Sequence, residues 1–193
     1  MVKRSIFGIV LLIASHSFAQ QNPDIIRAGL LKGDLAFNQS FMLEHKSKNV
    51  YLSGFLEYYS SKNLSLRGDC MWYMDSRQKD PVFKQNYVVL FGAVLHKPIG
   101  RNDLFGGIQP GMSFTQPVTP ALSDNTLPLR MMPVLDISIG YTLYFSKFCN
   151  FFLSANYLAS RYRGADNGSL KLDEFMISGG LGFHINTIRK QKK

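Results

Sequence analysis

Met131-Met132-Pro133-Val134-Leu135-Asp136-Ile137-Ser138-Ile139-Gly140-Tyr141-Thr142-Leu143-Tyr144-Phe145 decides the reading of this chain. Its odd positions (Met131, Pro133, Leu135, Ile137, Ile139, Tyr141, Leu143, Phe145) are apolar throughout. Its even positions include Asp136, Ser138, Gly140, Thr142 and Tyr144. Successive side chains of a β-strand point to opposite faces, so this is one long strand with a continuous apolar face and a polar or small one. The same alternation returns in the two segments that follow. Cys149, Phe151, Leu153, Ala155, Tyr157 and Ala159 oppose Asn150, Phe152, Ser154, Asn156 and Ser160. Phe175, Ile177, Gly179, Leu181, Phe183 and Ile185 oppose Glu174, Ser178, Gly180, Gly182 and His184.

Upstream, the pattern recurs less cleanly. Leu64, Leu66, Gly68, Cys70, Trp72 and Met74 face away from Ser65, Arg67, Asp69, Met71 and Tyr73. Val50, Leu52, Gly54, Leu56 and Tyr58 face away from Tyr51, Ser53, Phe55, Glu57 and Tyr59. Leu31, Leu35, Phe37, Phe41 and Leu43 oppose Lys32, Asp34, Asn38, Ser40 and Glu44. With weaker segments at 83–97 and 103–116, the pattern predicts eight strands, at 27–45, 49–60, 63–75, 83–97, 103–116, 129–145, 148–163 and 170–187. Pro, Gly, Asn and Asp clusters separate them. The expected fold class is all-β: an eight-stranded antiparallel up-and-down transmembrane β-barrel.

The N-terminus supports export. Lys3 and Arg4 precede an apolar run from Ile6 to Ala14, and Ser17 and Ala19 supply small residues at the −3 and −1 positions of a cut after Ala19. That run is about half of what a spanning helix needs, so residues 1–19 are read as a signal peptide. Residues 20–187 then form the barrel and 188–193 a basic periplasmic tail. Of the formal net charge of +9, Lys3 and Arg4 leave with the signal, so the mature chain carries +7. Four of those charges are Arg189, Lys190, Lys192 and Lys193. In an exported chain they speak for a solvated tail or lipid head groups and against nucleic acid. Cys70 and Cys149 fall on different strands, on apolar faces, and are expected to be unpaired.

Alternation alone does not separate a membrane barrel from a soluble, lipocalin-like carrier, whose apolar face turns inward. Three features favour the membrane. The strands exceed the roughly 9–11 residues that cross hydrocarbon. Aromatic residues gather near the strand ends of the apolar faces: Phe145, Phe151 and Phe183 on one side, Trp72, Phe83, Tyr87, Tyr157 and Phe175 on the other. Shorter connections (61–62, 98–102, 146–147) alternate with longer ones (76–82, 117–128, 164–169), as periplasmic turns alternate with outside loops. Only the first hairpin, 46–48, departs from this.

On these features the chain resembles the small outer-membrane barrels of the OmpA/OmpX class. Asn63-Leu64-Ser65-Leu66-Arg67-Gly68-Asp69 and Met176-Ile177-Ser178-Gly179-Gly180-Leu181-Gly182-Phe183 resemble strands of the general outer-membrane β-barrel domain family. The resemblance spans about residues 27–187 and implies outer-membrane lipid and the barrel insertion machinery as partners. Such barrels often end in an aromatic residue read by that machinery. Here Asn186 to Lys193 follow Ile185, so Phe183 would serve as an internal signal. No peptidoglycan-binding domain follows the barrel, so the cell-wall tethering of two-domain members is not carried over.

The face turned from lipid is expected to hold a lumenal polar network of Lys32, Asp34, Glu44, Glu57, Arg67, Asp69, Lys84, Asp136, Glu174 and His184. Eight strands leave an interior that side chains just fill, and charges there must pair or keep water. The expectation is an ion-paired plug, with a narrow ion or solute channel as an alternative. Catalysis, as in acyltransferase-like small barrels, needs a nucleophile, base and orienting acid at one end. His45 lies at the first hairpin; His96 and His184 lie near the periplasmic end as potential lumenal neighbours. HExxH, GxSxG, Walker and CxxC motifs are absent from the sequence, so no enzyme, cofactor or metal is expected. The loop from Gln116 to Pro128, with three prolines, suits contact with an extracellular ligand or protein.

Overall fold

A computed structural model describes residues 25–77, 81–118, 127–165 and 168–188. The expected signal segment, residues 189–193 of the tail and the middle of the 117–128 loop lie outside the described residues. The strands are β1 (Leu30–Met42), β2 (Lys48–Tyr59), β3 (Leu64–Ser76), β4 (Phe83–Ile99), β5 (Asn102–Pro117), β6 (Arg130–Leu143), β7 (Cys149–Ala165), β8 (Gly168–Lys171) and β9 (Glu174–Asn186). Consecutive strands from β1 to β7 pair antiparallel, β7 pairs with β9, and β9 pairs back with β1. Eight staves therefore close on themselves and leave no open edge, as a bilayer requires of any spanning sheet.

The predicted eighth strand is interrupted. β8 pairs only with the tip of β7, and β9 takes over below it. Between them, buried Leu172 donates its N–H to Ser160 O at 2.9 Å, and the Ser160 N–H goes to an Asp173 carboxylate oxygen at 3.0 Å. The turns 60–63, 100–101 and 144–148 share one end with the start of β1 and the end of β9. Gly100, at φ 66°, makes the tightest of them a two-residue turn. The opposite end, where β1, β3 and β5 finish and β2, β4 and β6 begin, is called the loop end below.

Apolar positions of the alternation face outward. Leu35, Leu56, Phe91, Leu95, Ile108, Ile139, Leu181 and Phe183 are each at least 59 % exposed, while Lys32, Glu57, Asp103 and Asp136 are at most 1 % exposed. A water-soluble barrel would invert this partition; a lipid-facing wall demands it. Outward aromatic residues form a row along the loop end through ladder partners: Trp72 opposite Tyr87, Tyr87 opposite Phe114, and Tyr157 and Phe41 both opposite Phe175. The row at the other end includes Tyr58, Phe145, Phe148 and Phe183. Cys70 and Cys149 are free thiols, Cys70 exposed on the outer wall and Cys149 half-buried.

A bulge and an early turn correct the sequence reading. β3 and β4 run beside register shifts at Val50/Tyr51 and Phe83/Gln85. At the second, Lys84 is the extra residue, so strict alternation fails there. Phe83, expected on the lipid face, is 1 % exposed inside the barrel, and Lys84, expected in the lumen, is exposed. Glu44 is also not lumenal. β1 ends at Met42, and Glu44 sits in the turn, paired with Lys171 at 3.0 Å with both side chains about half exposed.

Candidate functional site

Among the described residues, buried side chains line the bore from the terminal end to the loop end. At the terminal end, residues before β1 fold over it: Gly29 (φ 82°) donates to Tyr59 O at 2.8 Å, and Ile26, Leu30, Tyr59 and Tyr144 form a small buried cap. Under the cap lies a polar layer. Tyr59 Oη reaches Tyr144 Oη (3.0 Å) and donates to Asp103 (3.1 Å). The two ring nitrogens of His96 face Asp103 at 2.7 Å and Glu57 at 3.0 Å. Lys32 Nζ sits among Glu57 (3.3 Å), Thr142 (3.3 Å) and Asp34 (3.7 Å). Asn150 ties this group to β7, donating to Asp34 and lying 3.3 Å from His184 Nδ1. The His184 ring packs edge-on against Tyr144.

The next layer combines aromatic rings and cations. Phe55 and Phe152 meet edge to face, 5.0 Å between centroids, across the bore. The Arg67 guanidinium lies 3.6 Å from the Phe55 centroid, and Lys32 Nζ lies 4.9 Å from it. Both are cation–π distances. Arg67 grips Asp69 through Nε and Nη2, at 2.6 Å for the shortest contact, and Gln109 donates to Asp69 at 2.6 Å. Asp136 accepts from Asn156 at 3.2 Å. This layer depends on glycine: a Cβ on Gly182 would meet the Asp34 carboxylate, and one on Gly180 would meet Leu35 O and the Phe152 ring.

Towards the loop end the interior becomes apolar, with Met42, Met71, Tyr73, Phe83, Val88, Leu90, Met132, Leu158, Tyr162 and Met176 in one cluster. Within it Glu174 accepts from Ser40, Tyr51 Oη (2.7 Å) and Asn49 (3.3 Å). Satisfying a buried carboxylate with neutral donors in this way avoids the cost of an unmet polar group.

Of the ten residues expected in the lumen, Lys32, Asp34, Glu57, Arg67, Asp69, Asp136, Glu174 and His184 are buried there. Glu44 and Lys84 are not, because a turn and a bulge remove them. Sequence reading left out Asp103 and Gln109, put Tyr59, Asn150 and Asn156 on the inward face without assigning them to the network, and placed His96 only as a potential neighbour of His184. Parity was the available signal. His96 shares the inward face of β4 with Asn86 and Val94, and Asp103 shares that of β5 with Gln109 and Ser113. Weak alternation on those strands concealed it.

Ser65, His96 and Asp103 stand in the order of a hydrolase triad, with Ser65 Oγ 2.8 Å from His96 Nε2. The chemistry of the group differs from that of a triad. Ser65 donates its hydroxyl to Glu57 at 2.6 Å, so the proton a base would take is already committed. Ser65 is fully buried, leaving no place for a substrate carbonyl. Among the described residues no group of three or more His, Cys, Asp or Glu is placed to hold a metal ion.

A closed antiparallel barrel of eight staves, with an apolar wall, two aromatic rows and a bore lined by buried polar and aromatic side chains, has the architecture of the small outer-membrane β-barrels. Solved members of that class share its fold. The N-terminal β-barrel domain of Pseudomonas aeruginosa OprF is 17 % identical, covers 82 % of this chain and 99 % of its own, and superposes with a TM-score of 0.54. Neisserial surface protein A is 14 % identical over 81 % of this chain and 96 % of its own, TM-score 0.57. Ail, the attachment invasion locus protein of Yersinia pestis, is 14 % identical over 82 % and 99 %, TM-score 0.53. No family model and no curated protein matches the sequence.

Proposed function

We propose that this chain is an outer-membrane barrel that conducts nothing through its bore, performs no catalysis, and acts as a structural or surface-interaction module through its loop end. The observation that carries this reading is the packed bore. A water file cannot pass the Phe55–Phe152 contact while Arg67 is stacked on Phe55 and locked to Asp69. With no path inside, what remains for function is the outside: the wall, which meets lipid, and the loops, which a rigid barrel presents. The loop end faces the exterior and the termini face the periplasm, as the short turns at the terminal end favour.

The refolded chain in planar bilayers is expected to show no steps above baseline at any voltage that leaves the bilayer intact. Regular single-channel steps would remove the plugged-bore reading. Sidedness has its own check. With Cys70 and Cys149 replaced by serine, Arg77→Cys should react with an impermeant thiol reagent on whole cells and Lys147→Cys should not. The reverse pattern would invert the topology. Ser65 is expected to stay unmodified by a fluorophosphonate probe, and its labelling in the folded protein would return the chain to the hydrolases.

A further inference from the structure

The outward face of β7 is apolar from Phe151 through Leu153, Ala155, Tyr157 and Ala159, then changes to Arg161 and Arg163. At about 3.4 Å per residue, the change falls within one outward step of the aromatic row at Tyr157. Arg161 is the direct ladder partner of Lys171 on β8. Like charges directly opposite each other destabilise a strand pair, and here the pairing lies in a four-residue strand outside the main barrel. A third guanidinium joins them, since Arg130 Nη1 donates to Arg163 O at 3.2 Å. All four cationic residues are exposed. Two carboxylates stand among them: Glu44, paired with Lys171, and Asp173, held by Ser160 N and Tyr157 Oη (3.3 Å). Immediately below, a groove of about 380 Å³ opens between β6 and β7, lined by Pro133, Leu135 and Ala159, with Arg161 and Asp173 also on its lining.

We propose that this patch is a head-group site for an anionic, phosphate-bearing lipid of the leaflet at the loop end. The phosphate lies between Arg161 and Lys171, and one acyl chain lies in the groove over Ala159. The chemistry follows from the partners. Guanidinium forks match phosphate oxygens bidentately, an anion between two opposed cations converts their repulsion into a bridge, and an apolar groove beneath suits a chain already within the bilayer. The inference rests on the membrane reading of the barrel above.

The test uses the full mature chain inserted into phosphatidylcholine nanodiscs with or without a minor fraction of lipid A. Insertion is checked in each by heat-modifiable mobility, and bound lipid is read by native mass spectrometry. Wild type should retain lipid A, and Arg161→Gln/Lys171→Gln should retain it roughly thirtyfold less, about fivefold per cation. Lys62→Gln/Lys97→Gln, at the terminal end, should leave retention unchanged. Equal retention by the inserted Arg161/Lys171 variant, equal retention of dephosphorylated lipid A, or loss of lipid A to soluble sucrose octasulfate would each overturn the assignment. Failure of wild type to insert in either nanodisc is a separate result and removes the membrane reading itself.

Discussion

Arg67→Ala is expected to cost the barrel about 3–5 kcal/mol, the usual penalty for removing one partner of a buried ion pair. Arg67 makes the shortest contacts to Asp69 and covers the Phe55 ring, and both side chains are at most 5 % exposed. Its removal leaves Asp69 with Gln109 as its remaining donor and opens a void beside Phe55 and Phe105. The measurement is the temperature at which the folded, fast-migrating form converts to the unfolded form in detergent. Adding Asp69→Ala to the Arg67→Ala chain should recover part of the loss, because the stranded charge goes with it. If Arg67→Ala melts with the wild type, the ion-paired plug does not hold the staves together.

Ile139→Arg should block assembly through a different cost. Ile139 is 68 % exposed on the outer wall, with Gly106 and Ala155 as ladder neighbours. Arginine at the midplane of such a wall costs roughly 2–4 kcal/mol and at an interface about 0–1 kcal/mol. Phe145→Arg, beyond the end of β6 on the same wall, should therefore assemble at near wild-type yield. Ser138→Arg is not the mild control that its polar face suggests: Ser138 is buried, and Gly107 lies close against its hydroxyl. Folded yield in lipid vesicles orders the variants. The wild-type chain should also sediment with outer membranes and resist carbonate extraction; recovery as a detergent-free monomer from the periplasm would end the membrane reading.

The strand count, the up-and-down order and the sidedness of β6, β7 and β9 were legible because period-two alternation is a local property. Met131 to Phe145 carries its own face assignment, whatever it pairs with. Length did similar work, since strands of this reach with aromatic ends have few uses outside a bilayer. The same parity located eight of the ten proposed lumenal residues. It failed where the period breaks: one inserted residue at Lys84 turns Phe83 inward and Lys84 outward, and a strand that ends three residues earlier than expected puts Glu44 on the rim.

What the sequence by itself determined was which side chains share a face. Only the closed barrel decided which of those side chains meet, because ladder register and curvature bring together residues far apart in the chain. Lys32 meets Thr142 and Asp34 meets Asn150, each across more than a hundred residues. His96 gains its two carboxylates from β2 and β5. The apolar upper bore was equally hidden, since there both faces of the wall are apolar and alternation has no contrast to report. Arg161 and Lys171 read as two unrelated surface charges until the β7–β8 ladder set them opposite one another.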